Sequence, residues 1–211
     1  DETRQQAWQE DTIVNVYSTT KTMTALSALL LADRGELGFD QKVAHYWQEF
    51  GANGKGGVKV SHLNAHSAGL SGLAQVDGPE DFYDWDLICS RLAAQEPWWD
   101  PGSASGYQAI TQGYLIGEVV CRITGRSLGT FFREELAEPL DADFHIGVDP
   151  THFEQIGELI PPGEVPDGGG DADSVAARTF GGGNMIDALA SRTAAWREAG
   201  IPAANGHGNA R

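Results

Sequence analysis

Cysteine and long apolar runs are scarce in this sequence. Cys89 and Cys121 are the only cysteines among 211 residues, and they form neither a disulfide framework nor a zinc-binding pattern. We interpret Cys121 as a buried free thiol because it lies in an apolar run. No apolar stretch approaches the roughly 18 residues that a membrane-spanning helix needs. No signal peptide is visible near the N-terminus, so we expect a cytoplasmic location.

Positive charge is scarce as well. The chain has 14 Lys and Arg residues against 30 Asp and Glu residues, a formal net charge of −16. Such a chain repels phosphate backbones and anionic membrane surfaces, so we expect neither nucleic acid nor a membrane as a partner. His62 and His66 are four residues apart, but Leu63 replaces the Glu of a zinc-protease motif. We therefore expect no metal and no cofactor.

The order of sequence patterns indicates one domain of the α+β class in which helix exceeds strand. The length fits a single domain, and 41% hydrophobic with 21% charged residues are globular values. The first helix should bury Met23 and its leucines and end at Gly35. Apolar spacing and turn residues predict helices at 18–34, 39–50, 81–95, 108–124, 127–139 and 186–199, strands at 12–16, 58–60 and 144–148, and a long exposed loop at 163–170.

Ser18 and Lys21 are the residues most suggestive of chemistry. A serine hydroxyl is a weak nucleophile and needs a base or a strong local field. Positions i and i+3 of a helix share one face, so this spacing places an amine beside a hydroxyl. The helix N-terminus adds a positive field for a developing oxyanion. Burial at the start of an apolar helix would also lower the pKa of Lys21 toward that of a base.

Tyr107 is the third candidate. It follows a turn at Pro101 and Gly102 and precedes a helix, a position from which its side chain can project into a cleft. A nearby ammonium favours the phenolate, so a tyrosine beside a lysine can act as a general base. Trp98 and Trp99 lie just before the turn, where they could line an acyl pocket.

These residues lie in stretches that resemble the serine β-lactamase and penicillin-binding-protein family, and are most similar to the family VIII carboxylesterases. The stretches are 17–21 (YSTTK), 63–70 (LNAHSAGL), 106–118 (GYQAITQGYLIGE), 125–129 (GRSLG) and 138–140 (EPL). The resemblance implies that Ser18 is the acylated nucleophile, Lys21 its partner and Tyr107 the proton shuttle. Trp98, Trp99, Gln108 and Ala109 would bind the substrate.

The resemblance also implies a β-lactamase/D,D-peptidase-like fold, with a helical domain and an antiparallel sheet. We expect residues 1–211 to form one such domain, holding mainly the helical part and truncated at both ends, so that N-terminal and C-terminal strands are absent. One oxyanion amide would then be missing. The third motif of the family is expected beyond Arg211. Gly206-His207-Gly208 has no strand pattern around it and resembles a loop before a later helix.

Ala109 is a departure from the family's Tyr-x-Asn pattern, in which the Asn binds a substrate amide. Its presence favours a small-molecule ester as the substrate, and short-chain ester hydrolysis is our leading hypothesis. A β-lactamase or D,D-peptidase is the first alternative. The second is an inactive fragment or a non-catalytic binding module.

Overall fold

The structure, a computed structural model, describes residues 7–160, 171, 173–181, 183–184 and 188–209. The loop expected at 163–170 lies outside these residues. The helices are α1 (Thr20–Asp33), α2 (Val43–Tyr46), α3 (Val60–Asn64), α4 (Trp85–Ala94), α5 (Thr111–Thr124), α6 (Leu128–Phe132), α7 (Val175–Phe180) and α8 (Ala194–Glu198). The strands are β1 (Ile13–Asn15), β2 (Phe144–Ile146), β3 (Ile156–Gly157) and β4 (Gly206–Gly208). This content confirms the α+β class. None of the described helices is long and apolar enough to cross a bilayer.

Helix α1 follows a 3-10 turn at Tyr17–Thr19 and ends where the sequence predicts. Gly35 has a φ of +74°, a left-handed conformation that costs glycine little. The N–H groups of Gly35 and Glu36 bond to the carbonyls of Ala32 and Leu31. These two bonds form a Schellman motif, which closes the helix.

The buried face of α1 differs from the leucine-rich face that we expected. Leu26 and Leu29 are 41% and 52% exposed. The side that is buried carries mostly small and hydroxyl-bearing residues: Thr20, Thr24, Ser27, Ala28 and Leu31. These hydroxyls can be buried because they are hydrogen-bonded. The Thr24 hydroxyl donates to the Pro202 carbonyl, and the Thr20 hydroxyl accepts from the Gly206 N–H at 2.8 Å.

The sheet has four short strands in the order β2-β4-β1-β3. Strand β4 is antiparallel to both β1 and β2, whereas β1 and β3 are parallel. The strand expected at 12–16 is confirmed at its centre, and the one expected at 144–148 over its first three residues. The strand expected at 58–60 is wrong, because Val60 begins α3 and only an isolated bridge joins Lys42 to Lys59.

Strand β4 corrects our interpretation of residues 206–208 as a loop. Its glycines are required by close packing, since a Cβ on Gly206 or Gly208 would lie 2.7 Å or 2.4 Å from atoms of the Phe144 ring. Glycine normally weakens a strand and often marks a close approach of this kind. His207 lies between them in the sheet, opposite Asn15 and His145.

Helix α5 ends where predicted but begins at Thr111, and four other predicted helices are shorter or divided. The one expected at 127–139 is α6 followed by a π-helical turn at Arg133–Ala137 and a 3-10 turn at Glu138–Leu140. Gly125 ends α5 with a φ of +70°, and the Ser127 side chain caps α6 as predicted. The helix expected at 39–50 is reduced to α2 and a separate 3-10 turn. The one expected at 81–95 is divided at Asp84, whose carboxylate caps α4. The one expected at 186–199 consists of a 3-10 turn and α8, with Thr193 as the cap of α8; residues 186–187 lie outside the described residues. Capping side chains compete with helix continuation at Asp84 and Thr193.

The segment 201–206 packs against both α1 and α5. A Cβ on Gly113 of α5 would lie only 2.5 Å from the Ala203 nitrogen, so a glycine is needed for this approach. Both cysteines are free, and Cys89 is the buried one. Our interpretation of Cys121 as buried is wrong, because the last turn of α5 reaches the surface and leaves this residue half-buried.

Candidate active site

Ser18 lies in the tight connection between β1 and α1. It occupies the centre of the 3-10 turn and is exposed to solvent. Tyr17, directly before it, has a φ of +43°, a conformation that costs a non-glycine residue on the order of 1–3 kcal/mol. Strain of this kind is concentrated at functional sites. The strained turn presents the Ser18 hydroxyl at the N-terminus of α1, where the helix dipole is positive.

Lys21 lies one turn further along α1 and has three oxygen neighbours. Its Nζ is 3.2 Å from Ser18 Oγ, 2.7 Å from the Ala109 carbonyl and 2.9 Å from the Ala203 carbonyl. Burial lowers the pKa of Lys21, and the nearby Tyr107 oxygen partly opposes this shift. The site therefore favours a neutral amine more than water does.

The hydrogen-bond acceptors around Lys21 Nζ determine where the lone pair of a neutral amine can point. A neutral amine has two N–H donors and one lone pair, whereas an ammonium has three donors and none. The two carbonyls can only accept hydrogen bonds, so they use two donors. In the neutral state the lone pair is left for the hydroxyl side of the amine, where Ser18 Oγ lies at 3.2 Å and the Tyr107 oxygen is also near.

Tyr107 completes the cluster. Its hydroxyl is 2.6 Å from Ser18 Oγ, and Lys21 Nζ lies 5.0 Å from the centre of its ring. The structure therefore brings Ser18, Lys21 and Tyr107 together, although they are separated by up to 89 residues in sequence. The serine oxygen lies within hydrogen-bonding distance of both the amine and the phenol.

The four residues expected to bind substrate take different positions. Trp99 packs on Gly106, whose Cβ would lie 2.4 Å from the Trp99 ring, so this indole lies beside the residue that precedes Tyr107. Trp98 instead stacks under Arg178, with 4.1 Å between the guanidinium carbon and the ring centre. That these two tryptophans line an acyl pocket stays a prediction.

Gln108 and Ala109 contribute through atoms that sequence reasoning did not consider. The Gln108 side chain is fully buried and donates to the Leu70 carbonyl at 3.5 Å, so in this structure it supports the scaffold. Ala109 contributes its backbone carbonyl to Lys21. Their substrate contacts also stay predictions.

Ala203 is a residue of the site that the sequence did not indicate. It is 182 positions away from Lys21 in the chain, and a backbone carbonyl has no signature in the identity of its residue. A glycine in the middle of an apolar helix, here Gly113, is the one signal that could have indicated a close approach.

His207 is buried inside the sheet, where its Nδ1 lies 2.8 Å from the Asn205 carbonyl. Burial lowers its pKa to about 4, so the ring is neutral near pH 7. A third motif beyond Arg211 stays a prediction. Within the described ranges, no group of three or more His, Cys, Asp or Glu residues could hold a metal ion.

Comparisons with known proteins show the family to which the chain belongs. A sequence model of the beta-lactamase family matches residues 1–211, and the chain belongs to that family. Esterase/beta-lactamase LipL of Mycobacterium tuberculosis is 37% identical over 219 residues, which cover 97% of this chain and 49% of that protein.

Two solved structures are similar over 99% of this chain and 55% of their own. One is a penicillin-binding protein homolog from Caulobacter crescentus, with a TM-score of 0.90 and 39% identity. The other is a family VIII carboxylesterase, with a TM-score of 0.89 and 38% identity. These likenesses confirm the resemblance found in the sequence and the β-lactamase-like fold. The chain spans about half the length of these relatives.

Proposed function

We propose that this chain provides the nucleophile of a serine hydrolase that cleaves small carboxylic esters through an acyl-enzyme at Ser18. The observation that carries the proposal is the position of Ser18 Oγ between Lys21 Nζ and the Tyr107 hydroxyl, at 3.2 Å and 2.6 Å. Two of the similar proteins are named as an esterase/beta-lactamase and a carboxylesterase.

Acylation uses the lone pair of Lys21. The neutral amine takes the Ser18 proton while Oγ forms a bond to the ester carbonyl carbon. The positive end of the α1 dipole favours the negative charge that develops on the carbonyl oxygen. The ester C–O bond then breaks, and the phenol of Tyr107 gives its proton to the departing alcohol. The proton on Lys21 passes to the Tyr107 oxygen, which restores the neutral amine and the phenol.

Deacylation is the same sequence with water as the nucleophile. The Lys21 amine takes a proton from water as the water oxygen bonds to the acyl carbon. The bond to Ser18 Oγ breaks, and Ser18 receives a proton from Tyr107, which is reprotonated from Lys21. The products are a carboxylic acid and the free enzyme, so atoms and protons balance.

A covalent label tests whether Ser18 is the nucleophile. A fluorophosphonate probe should add once to the wild-type protein, with intact mass and peptide mapping placing the adduct on Ser18. Ser18→Ala should lose the adduct and the hydrolysis of p-nitrophenyl butyrate. It should keep its fold, since the Ser18 side chain is exposed. A mutant with near wild-type turnover would refute the assignment. A protein that neither labels nor hydrolyses would instead be a non-catalytic module.

The proposed preference for short esters rests on Ala109 and the bulk of Trp99. With Ala109 in place of the Asn, an amide substrate loses a hydrogen bond worth about 0.5–1.5 kcal/mol. Trp99 packs against Gly106 and limits the room beside Tyr107. We expect kcat/KM for p-nitrophenyl esters to be greatest at about two to six acyl carbons, because only short chains need no extended apolar groove. A maximum at twelve carbons or beyond would contradict this. Faster turnover of nitrocefin than of butyrate would favour a β-lactamase.

A further inference from the structure

Tyr107 lies on a stretch of chain without regular structure. Residues 104–108 have neither helical nor strand pairing and lie between a turn and the approach to α5. The Tyr107 side chain is 43% exposed, so its own burial does little to fix it. Its hydroxyl nevertheless lies 2.6 Å from Ser18 Oγ. Other contacts must hold this segment in place.

His66 supplies contacts on both sides of Tyr107. Its backbone carbonyl accepts from the Gly106 N–H at 2.9 Å, and its ring Nδ1 accepts from the Gln108 N–H at 3.1 Å. Between these bonds the imidazole lies against the Tyr107 ring, with 4.9 Å between the ring centres. One residue therefore binds the N–H of the residue before Tyr107 and the N–H of the residue after it, and also contacts the Tyr107 ring.

We propose that His66 is a positioning residue for Tyr107 and fixes the phenol within reach of Ser18. This inference rests on the proposed ester hydrolysis, in which Tyr107 transfers protons. Nδ1 can accept a hydrogen bond only when it carries no proton, so the ring is neutral with its proton on Nε2. Burial, and then the charge of Lys21, lower the pKa of His66, which favours this state.

The backbone at His66 supports the same assignment. Its φ of +56° is in the left-handed region, which few non-glycine residues adopt and in which His and Asn are enriched. A glycine would relieve this strain but would provide no ring and no side-chain acceptor. The histidine is therefore kept in a strained conformation at the point where its ring reaches both Tyr107 and the Gln108 N–H.

The test compares an alkyl ester with an aryl ester, because an alkoxide leaving group needs a proton and nitrophenolate does not. His66→Ala should reduce kcat/KM, which reports acylation and not the deacylation that both butyrates share, about tenfold more for ethyl butyrate than for p-nitrophenyl butyrate. His66→Asn should restore most of this ratio, because its oxygen can replace Nδ1 and Asn tolerates positive φ. His66→Gln, with a longer side chain, should not. In a Tyr107→Phe background, His66→Ala should cause no further selective loss.

Equal losses on both esters, or a selective loss that persists without the Tyr107 hydroxyl, would show a merely structural role and overturn the proposal. If His66→Ala does not fold, the comparison of Asn with Gln decides, and equal behaviour of the two overturns it. A wild-type protein that hydrolyses neither ester would overturn the proposed function and this inference with it. Wild-type turnover with no selective effect at His66 overturns this inference alone.

Discussion

Gly113→Ala is a perturbation that tests the Lys21 site from a position outside it. Gly113 lies on α5 and contacts the backbone of the segment that supplies the Ala203 carbonyl. The new Cβ would lie 2.5 Å from the Ala203 nitrogen and 2.8 Å from the Pro202 carbonyl carbon. Both are main-chain atoms, so the clash cannot be relieved by a change of rotamer and the segment itself must move.

The size of the movement follows from these distances. Ordinary contact begins at 3.4 Å, so the Ala203 nitrogen must shift by roughly 0.9 Å, enough to take a 2.9 Å bond out of the hydrogen-bonding range. Losing one hydrogen bond of about 0.5–1.5 kcal/mol slows a reaction roughly 2- to 13-fold. A misplacement of about 1 Å can cost up to about 100-fold. We therefore expect acylation to slow by about 10- to 100-fold.

The loss of stability should be small enough to leave the protein folded. An alanine in place of a helical glycine gains about 1 kcal/mol, whereas overpacking costs about 1–3 kcal/mol. The net loss should be no more than about 2 kcal/mol, which a domain of this size tolerates. Thermal unfolding should thus remain cooperative.

The assay is the rate of fluorophosphonate labelling, followed by intact mass, together with p-nitrophenyl butyrate turnover. Gly117→Ala, one turn later on the same helix, is the matched control. Its Cβ would lie 2.6 Å from the Trp85 ring and 3.6 Å from Pro202, so it overpacks the helix without pressing on Ala203. Equal rates for Gly113→Ala and wild type, or an equal slowing in both variants, would refute the role of the Ala203 carbonyl.

Two further predictions concern the proton network and acid stability. Lys21→Ala should reduce kcat/KM at least as much as Tyr107→Phe does. The double mutant should lose little more than the worse single mutant, because the two groups act as one unit. A double-mutant loss equal to the product of the two single losses would contradict a shared proton network. His207 is buried, and its pKa is lowered from 6.5 to about 4. As the pH falls, the unfolded chain therefore binds this proton before the folded chain does. The free energy of unfolding should decrease by on the order of 3 kcal/mol between about pH 6.5 and pH 4. His207→Gln removes this contribution, and urea unfolding at several pH values measures the free energy of unfolding of both proteins. The same pH dependence in the variant and the wild type would contradict the prediction.

Short-range sequence patterns were sufficient to predict part of the fold and part of the candidate site. Ser18 and Lys21 are related by helical spacing alone, and the glycines that end α1 and α5 act within one turn of their helices. Tyr107 could be placed near them only through the family resemblance, because 89 positions separate it from Ser18. Nothing in spacing or composition brings those parts of the chain together.

The remainder depends on long-range contacts that side-chain patterns do not encode. The leucines of α1 predict its buried face only in part, since Leu31 is buried but Leu26 and Leu29 are exposed. Thr20 and Thr24 are buried because they find hydrogen-bond partners in the 202–206 segment. The sequence of β4 predicts a loop because glycine has a low strand propensity. Its glycines are needed because the Phe144 ring lies too close to leave room for a Cβ.

The pairing of Lys21 with the Ala203 carbonyl has a consequence for the order of events during synthesis. A ribosome adds about 5–20 residues per second, so the 182 positions between these residues take roughly 10–35 s to make. Ser18 and Lys21 therefore exist as a pair well before the carbonyl that orients the amine. In the proposed mechanism, the Ser18 hydroxyl is thus made early and gains its oriented base late, which would protect a half-made chain from acylation by esters around it.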